Sequence, residues 1–400
     1  MHFPDQESLF GKLPTPPLTP SPYVDGIVAV VRKRVSNTSP QLGTLGTMKT
    51  KLVVVPNLKR LLHESPGFAK KGLSTWKLDI AMLCELGCCY CSSNAGNLLR
   101  INRELLADVT EAQTRERTYP ADDPALMFVW TDVEKQLEAE LASKSKTFGA
   151  GETLVFSMLT DGFSPTLVAR GVTERVLSIL IEQTSFRVRI LTKNAVVGSP
   201  KWIRFFEAHR DRLVVGLSTG SLDRPWARNI ELRTSTVKAR LAALRSLQDT
   251  GIPTYGMLCP VFPAALGDDV AEIIERIRPD VVEEIWAEPY NDRLNWRRVR
   301  DAFPDGSGER ATFEAMFDGN DRGAWSAYAA ELYRQLRRLL GQRFIDKLRY
   351  LLHEGNVLSA HAHAFASLEG VLLQGKPDEE GFSKNDAIAD LQRAVARTTR

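Results

Sequence analysis

Nothing in this chain is long and apolar enough to span a bilayer. No basic start leads into an apolar stretch, so we expect no secretory signal, no membrane partner and a cytoplasmic protein. Charge of one sign is also lacking: Lys and Arg (52) nearly balance Asp and Glu (49), for a net charge of +3. That balance permits a nucleic-acid partner without arguing for one. Histidine is scarce, at 6 residues, and no phosphate-binding Gly-rich loop or Ser-His-Asp arrangement can be assigned. The 5 cysteines are too clustered for a disulfide framework, which spreads its cysteines along the chain. A reducing compartment and metal-binding thiolates fit them better.

Residues 1–47, with "LPTPPLTPSP", are rich in Pro and Thr and read as a disordered tail, with a short strand in "DGIVAVVRKRV". From Trp76 apolar strands alternate with amphipathic helices. Strands are expected over 76–83, 152–159, 186–193, 213–219, 253–261 and 281–289. Helices are expected over 131–144, 167–184, 200–212, 235–251 and 268–278. Strands joined by helical crossovers form a parallel sheet covered by helices. The fold class is therefore α/β: a partial, open (β/α)6 barrel over 48–291, short of the eight repeats of a full TIM-type barrel. Residues 292–400 read as a helical C-terminal extension, with helices over 324–352, 359–374 and 383–397.

Four of the cysteines fall in "CELGCCYC" (84–91), at the end of the first expected strand. Cys84, Cys88 and Cys91 make a C-x3-C-x2-C spacing, with Tyr90 before the last. Thiolates bind soft metals and iron–sulfur clusters. Three on one loop can hold three irons of a [4Fe–4S] cluster and leave the fourth iron open to a small ligand. A structural zinc site and a Cys88–Cys91 redox dithiol are the alternatives. Cys89 fills a free position of the motif and reads as a non-ligand. Polar groups close the other strands: Ser157, Thr160 and Asp161, then Lys193, then Ser218. A carboxylate and a lysine there would neutralise an amino-acid ligand in a poorly solvated site; the plainer reading is a helix cap and a surface lysine.

The cysteine motif followed by six strand–helix repeats resembles the radical S-adenosylmethionine (radical SAM) superfamily. "MLTDGFSP", "ILTKN", "ELRTSTVKARLAALRSLQDTGIP" and "WAEPYNDRLN" are similar to its spore photoproduct lyase-like branch. The resemblance implies a [4Fe–4S] cluster on Cys84, Cys88 and Cys91. It also implies S-adenosylmethionine on the open iron, and a 5′-deoxyadenosyl radical that abstracts hydrogen from a DNA photolesion. Other targets in that chemistry are RNA, peptide or protein; a non-catalytic zinc- or cluster-binding protein is the remaining alternative. An external flavodoxin- or ferredoxin-like electron donor is implied as partner. By the same resemblance Lys193 and Ser218 contact S-adenosylmethionine with Thr160 beside them. Glu231 and Arg233 match a Glu-x-Arg element, and Glu288 and Asn291 face the same mouth. The branch has a hydrogen-donating cysteine where this chain has Met158, and a thioether carries no S–H. Cys259 is the substitute candidate, followed by Tyr255 and Tyr290. The basic stretches "NWRRVR" and "RQLRRLLGQRFIDKLR" are candidate phosphate contacts, or simply solvated helix faces.

Overall fold

A computed structural model describes residues 50–398, apart from 56–59, 92, 94–102, 121, 158, 293, 320, 376 and 377. The expected tail over 1–47, with its short strand, and Met158 lie outside the described residues. Twelve strands are described: β1 Lys51–Val55, β2 Leu62–Glu64, β3 Trp76–Leu78, β4 Ala81–Leu83, β5 Leu126–Trp130, β6 Thr153–Phe156, β7 Arg187–Thr192, β8 Leu213–Ser218, β9 Thr254–Val261, β10 Ile285–Pro289, β11 Leu348–Leu352 and β12 Val371–Leu373. Nine form one sheet, ordered β12-β11-β10-β9-β8-β7-β6-β3-β2. Every neighbouring pair in it is parallel except β2–β3.

All six expected barrel strands are present and adjacent in chain order. Amphipathic helices cover their outer face. In Asp268–Ile277, buried Val270, Ile273, Ile274 and Ile277 recur at helical spacing, and Asp268 and Asp269 favour the positive end of the helix. Several details differ from expectation; the helix expected over 359–374 is only a short turn from Ser359 to Phe365, and Val371–Leu373 is a strand. The helix expected over 324–352 ends at Phe344. Leu348–Leu352 then joins β10 as a parallel strand and β12 follows, so the C-terminal part lengthens the barrel sheet as well as adding helices to it. The short buried run "LRYLL" satisfies its backbone by pairing with a sheet edge, which local helix propensity does not foresee.

The strand expected over 76–83 is broken. β3 belongs to the barrel, but β4 belongs to a second sheet, β1-β5-β4, built with a strand from the long insert. The break falls at Asp79 and Ile80, where the Asp79 carboxylate accepts the Leu159 N–H at 3.0 Å. Cys84 therefore leaves a strand that stands beside the barrel rather than within it.

Inside the barrel, alternation of side chains builds layers. Leu73, Val155, Val214, Tyr255, Met257, Trp286 and Leu351 form an interior cluster. Strand β8 contributes Gly216 to it, and the Tyr255 ring occupies the space where a β-carbon would lie. We predict that Gly216→Ala destabilises the protein by about 1–3 kcal/mol through overpacking. Denaturant unfolding checks this; an unchanged midpoint would mean that the Tyr255 ring moves aside without cost. Among the described residues no helix is long and apolar enough to cross a membrane.

Candidate active site

The cysteine loop is held from behind by segment 230–233. The Cys89 N–H donates to the Ile230 carbonyl at 3.0 Å, and the Arg233 N–H donates to the Leu86 carbonyl at 3.1 Å. Cys88 and Glu231 form an isolated antiparallel bridge. Within the loop, Cys91 N–H donates to the Cys88 carbonyl at 3.1 Å, closing a turn around Cys89 and Tyr90. Gly87 has φ +64°, and a β-carbon there would lie 2.7 Å from the Pro124 side chain, so only glycine fits this bend. Asn295 ties the other side of the loop, donating to the Tyr90 carbonyl at 2.7 Å.

Cys84, Cys88 and Cys91 all line one cavity of about 400 Å³ at the C-terminal end of the barrel strands; Cys89 does not. Burial, then the neighbouring Cys91 and Asp161, push the Cys84 thiol up to about 12. Burial and Glu231 likewise push Cys88 up. Thiols crowded into one desolvated wall resist ionisation unless a cation neutralises them, which suits a metal cluster. Among the described residues, no group of three or more His, Cys, Asp or Glu side chains is placed to hold a single metal ion.

The wall beside the thiols carries the polar residues expected from the strand ends. Lys193 Nζ donates to Ser218 Oγ and lies 3.5 Å from the Glu231 carboxylate. Tyr90 OH and Arg240 also donate to that carboxylate. Burial alone would push Glu231 up. The charges of Arg240 and Lys193, with the hydrogen bonds from Tyr90 and Arg240, outweigh it and hold the group at about 2. Ser157 has φ +56°, in the left-handed region that L residues seldom adopt. The Ser157 and Thr160 hydroxyls and the Asn291 side-chain amide oxygen line or border the cavity with no hydrogen-bond partner among the described residues. Buried polar atoms in that state suit a polar ligand.

Among the other expected residues, Asp161, Arg233 and Tyr255 are each engaged by protein groups. Asp161 lines the cavity, but its carboxylate is occupied by Thr192 Oγ1 at 2.8 Å, the Lys193 N–H at 2.8 Å and the Phe163 N–H at 2.9 Å. It braces the turn that presents Lys193. Arg233 lies behind the cysteine loop, donating to Thr50 Oγ1 at 2.8 Å and 3.9 Å from Glu85. Tyr255 shares the inward face of β9 with Cys259 but sits four residues lower, about 13 Å along the strand. Its hydroxyl donates to the Ile190 carbonyl at 2.9 Å, in the core below the cavity. Cys259, Glu288 and Tyr290 do line the cavity, Cys259 packing against the apolar interior cluster. Tyr290 OH donates to Asn295 Oδ1 at 2.6 Å.

His353, Phe68 and Lys71 escaped the sequence reading. His353 Nε2 lies 3.3 Å from the Glu288 carboxylate. Period-two counting along β11 would have found it, had that segment been read as a strand. Phe68, Lys71 and Leu73 enter the cavity from the connection between β2 and β3. Of the basic stretches, Arg334 and Arg338 pair with Glu331, and Arg337 pairs with Glu369.

No family model matches the chain. A curated protein described as "Uncharacterized protein ORF301", from Acidianus two-tailed virus, is 25% identical over 166 residues, 38% of this chain and 53% of that protein. The match thus spans about half the length of that relative. Solved structures of spore photoproduct lyase are similar in fold. One variant has a TM-score of 0.43 at 13% identity, covering 71% of this chain and 78% of its own. Another, with bound AdoMet and dinucleoside spore photoproduct, has a TM-score of 0.40 at 12% identity, covering 66% and 72%.

Glu231 is the electrostatic hub of this site. Glu231→Gln leaves Lys193 and Arg240 with an uncompensated buried charge, and we expect it to destabilise the apoprotein by about 3 kcal/mol. Because the folded value of Glu231 lies below its unfolded one, its contribution is fully present above the unfolded value. It is lost as pH falls toward about 2. The stability difference between wild type and Glu231→Gln should therefore shrink on acidification; a constant difference would contradict the network.

Proposed function

We propose that the chain is a radical SAM enzyme in which Cys84, Cys88 and Cys91 hold a [4Fe–4S] cluster and S-adenosylmethionine binds beside it. The observation that carries this reading is the sharing of one cavity by these three thiols, Lys193, Ser218 and the unpartnered Ser157 and Thr160 hydroxyls. When bound, the two cofactors supply one-electron cleavage of a carbon–sulfur bond and a carbon radical that removes hydrogen from a substrate. The protein's part is to bind, orient and exclude water. Lys193 offers a cation to a ligand carboxylate, held in direction by Ser218 and Glu231. Ser157 and Thr160 offer hydroxyls to the ligand's remaining polar groups, and the buried walls keep solvent from the reacting carbon.

In this reading the substrate is a DNA photolesion, as the strand-end motifs suggest, and an external flavodoxin- or ferredoxin-like protein supplies the electron. Cys259 provides the hydrogen returned to the product, since Met158 has no S–H to give. Its thiol lines the same cavity and stays protonated because burial, then Glu288, push it well up.

Anaerobic reconstitution with iron and sulfide tests the proposal. We expect a brown protein with an iron–sulfur EPR signal on reduction, which forms 5′-deoxyadenosine from S-adenosylmethionine. Single Cys→Ala changes at 84, 88 and 91 should each abolish both, and Cys89→Ala should abolish neither. A colourless zinc protein would overturn the reading and leave the non-catalytic alternative. Deuterium passing from a labelled dinucleotide lesion into 5′-deoxyadenosine would establish the substrate; transfer only from labelled RNA or peptide would replace it. Cys259→Ala should retain cluster and 5′-deoxyadenosine formation yet divert the product radical into side products, read by mass spectrometry.

A further inference from the structure

The nine-stranded sheet is not closed by its own hydrogen bonds: β2 and β12 are its edges. The connection from β2 to β3 bridges the seam. Its short helix, Pro66–Ala69, has no side-chain cap and buries no residue fully. Phe68 nevertheless turns inward with Leu73, packing into the interior cluster that contains Met257, Trp286 and Leu351. From the same turn, the Lys70 ammonium donates to the Gly375 carbonyl, just beyond β12. Phe68, Lys71 and Leu73 line the cavity that the three thiols share. One exposed turn therefore spans the seam and forms the far wall of the site.

The two halves of the cavity differ in chemistry. The cysteine end is polar, while the far end is walled by Phe68, Leu73, Met257, Trp286 and Leu351. Lys71 brings a positive charge to that end, near enough to act on Cys259. The strands beside it, β9, β10 and β11, are joined by parallel ladder hydrogen bonds that opening would break. The turn is a short helix with Pro66, Gly67, Ala69 and Lys70 exposed, Phe68 and Leu73 turned inward, and Lys70 tied to the opposite edge. Such elements open locally at far lower free energy than sheet strands.

We infer that the turn Pro66–Leu73 is a substrate-selecting gate in the barrel seam, with Phe68 as its wedge. It admits a substrate whose apolar part lies against Phe68, Trp286 and Leu351 and whose negative group meets Lys71. The inference rests on the proposed function only in taking the cysteine loop as the reactive end of the cavity.

Cys259 gives a readout that needs no turnover, because its thiol lies in the cavity within reach of this wall. In the full, cluster-loaded chain, its alkylation is followed by peptide mass spectrometry with iodoacetamide, iodoacetate and fluorescein maleimide as probes. Loss of the aromatic wedge in Phe68→Ala should speed modification by the bulky maleimide roughly tenfold and change the iodoacetamide rate little. Phe68→Leu, which keeps an apolar wedge, should fall between. Lys71→Gln should lower the iodoacetate-to-iodoacetamide ratio about threefold, as loss of a nearby partly screened cation implies. Unchanged maleimide rates in both Phe68 variants, or an unchanged ratio in Lys71→Gln, overturn the gate. Failure of the chain to take up a cluster is seen before any alkylation and counts against the function, not the gate; the same rates are then read on the apoprotein.

Discussion

A single buried carboxylate joins the two parts of this molecule that have to meet. Glu231 receives hydrogen bonds from Tyr90, in the cysteine loop, and from Arg240, on the helix after β8, and lies beside Lys193 at the end of β7. The loop grows out of a small second sheet, whereas Lys193 and Ser218 belong to the barrel. Backbone bonds from the loop to Ile230 and Arg233 fix its position, and Glu231 adds the counter-charge that brings Lys193 to it. The donors Tyr90 and Arg240 and the neighbouring Lys193 cation around one carboxylate also make every member costly to remove, because each leaves a charge or a hydroxyl without its partner.

The barrel adds a second constraint, that of layers. Along β7, Arg189, Leu191 and Lys193 share the inward face, and along β9 so do Tyr255, Met257 and Cys259. The lowest layer is a plug: Arg189 pairs with Glu284 at 2.9 Å and lies over the rings of Tyr255 and Trp286. The middle layer is apolar. The top layer is polar, with Lys193, Ser218, Cys259 and Glu288 lining the cavity and His353 beside Glu288. Position on the correct face is thus not enough for a role at the site. Depth decides between Tyr255, which serves packing, and Cys259, which faces the cavity.

The strand ends are also where backbone is held away from its usual preferences. Ser157 takes a left-handed conformation immediately after β6, with its hydroxyl unpartnered beside the cysteine loop. Asp161 then collects three donors to hold the following turn. Asp161 draws Thr192 and Lys193, 31 and 32 residues on, to the turn after β6, so this wall, like the cysteine loop, is fixed by distant partners.

Much of this was legible in the residue order. The C-x3-C-x2-C spacing defines three thiols on one short loop whatever the surrounding fold. The six barrel strands announce themselves as buried runs between amphipathic helices, and with them the strand-end positions of Lys193, Ser218 and Glu288. Those are local properties, governed by periodicity and by which residues tolerate burial. Tertiary structure alone decided where the backbone hydrogen bonds of ambiguous runs would go. "WKLDIAML" broke into two sheets because Asp79 found the Leu159 amide 80 residues away. "LRYLL" became a strand because β10 offered an unpaired edge. Arg233 moved behind the loop because Glu85 and Thr50 lay there. Each of those outcomes depends on a partner distant in the chain, and no local pattern encodes which distant partner will be within reach.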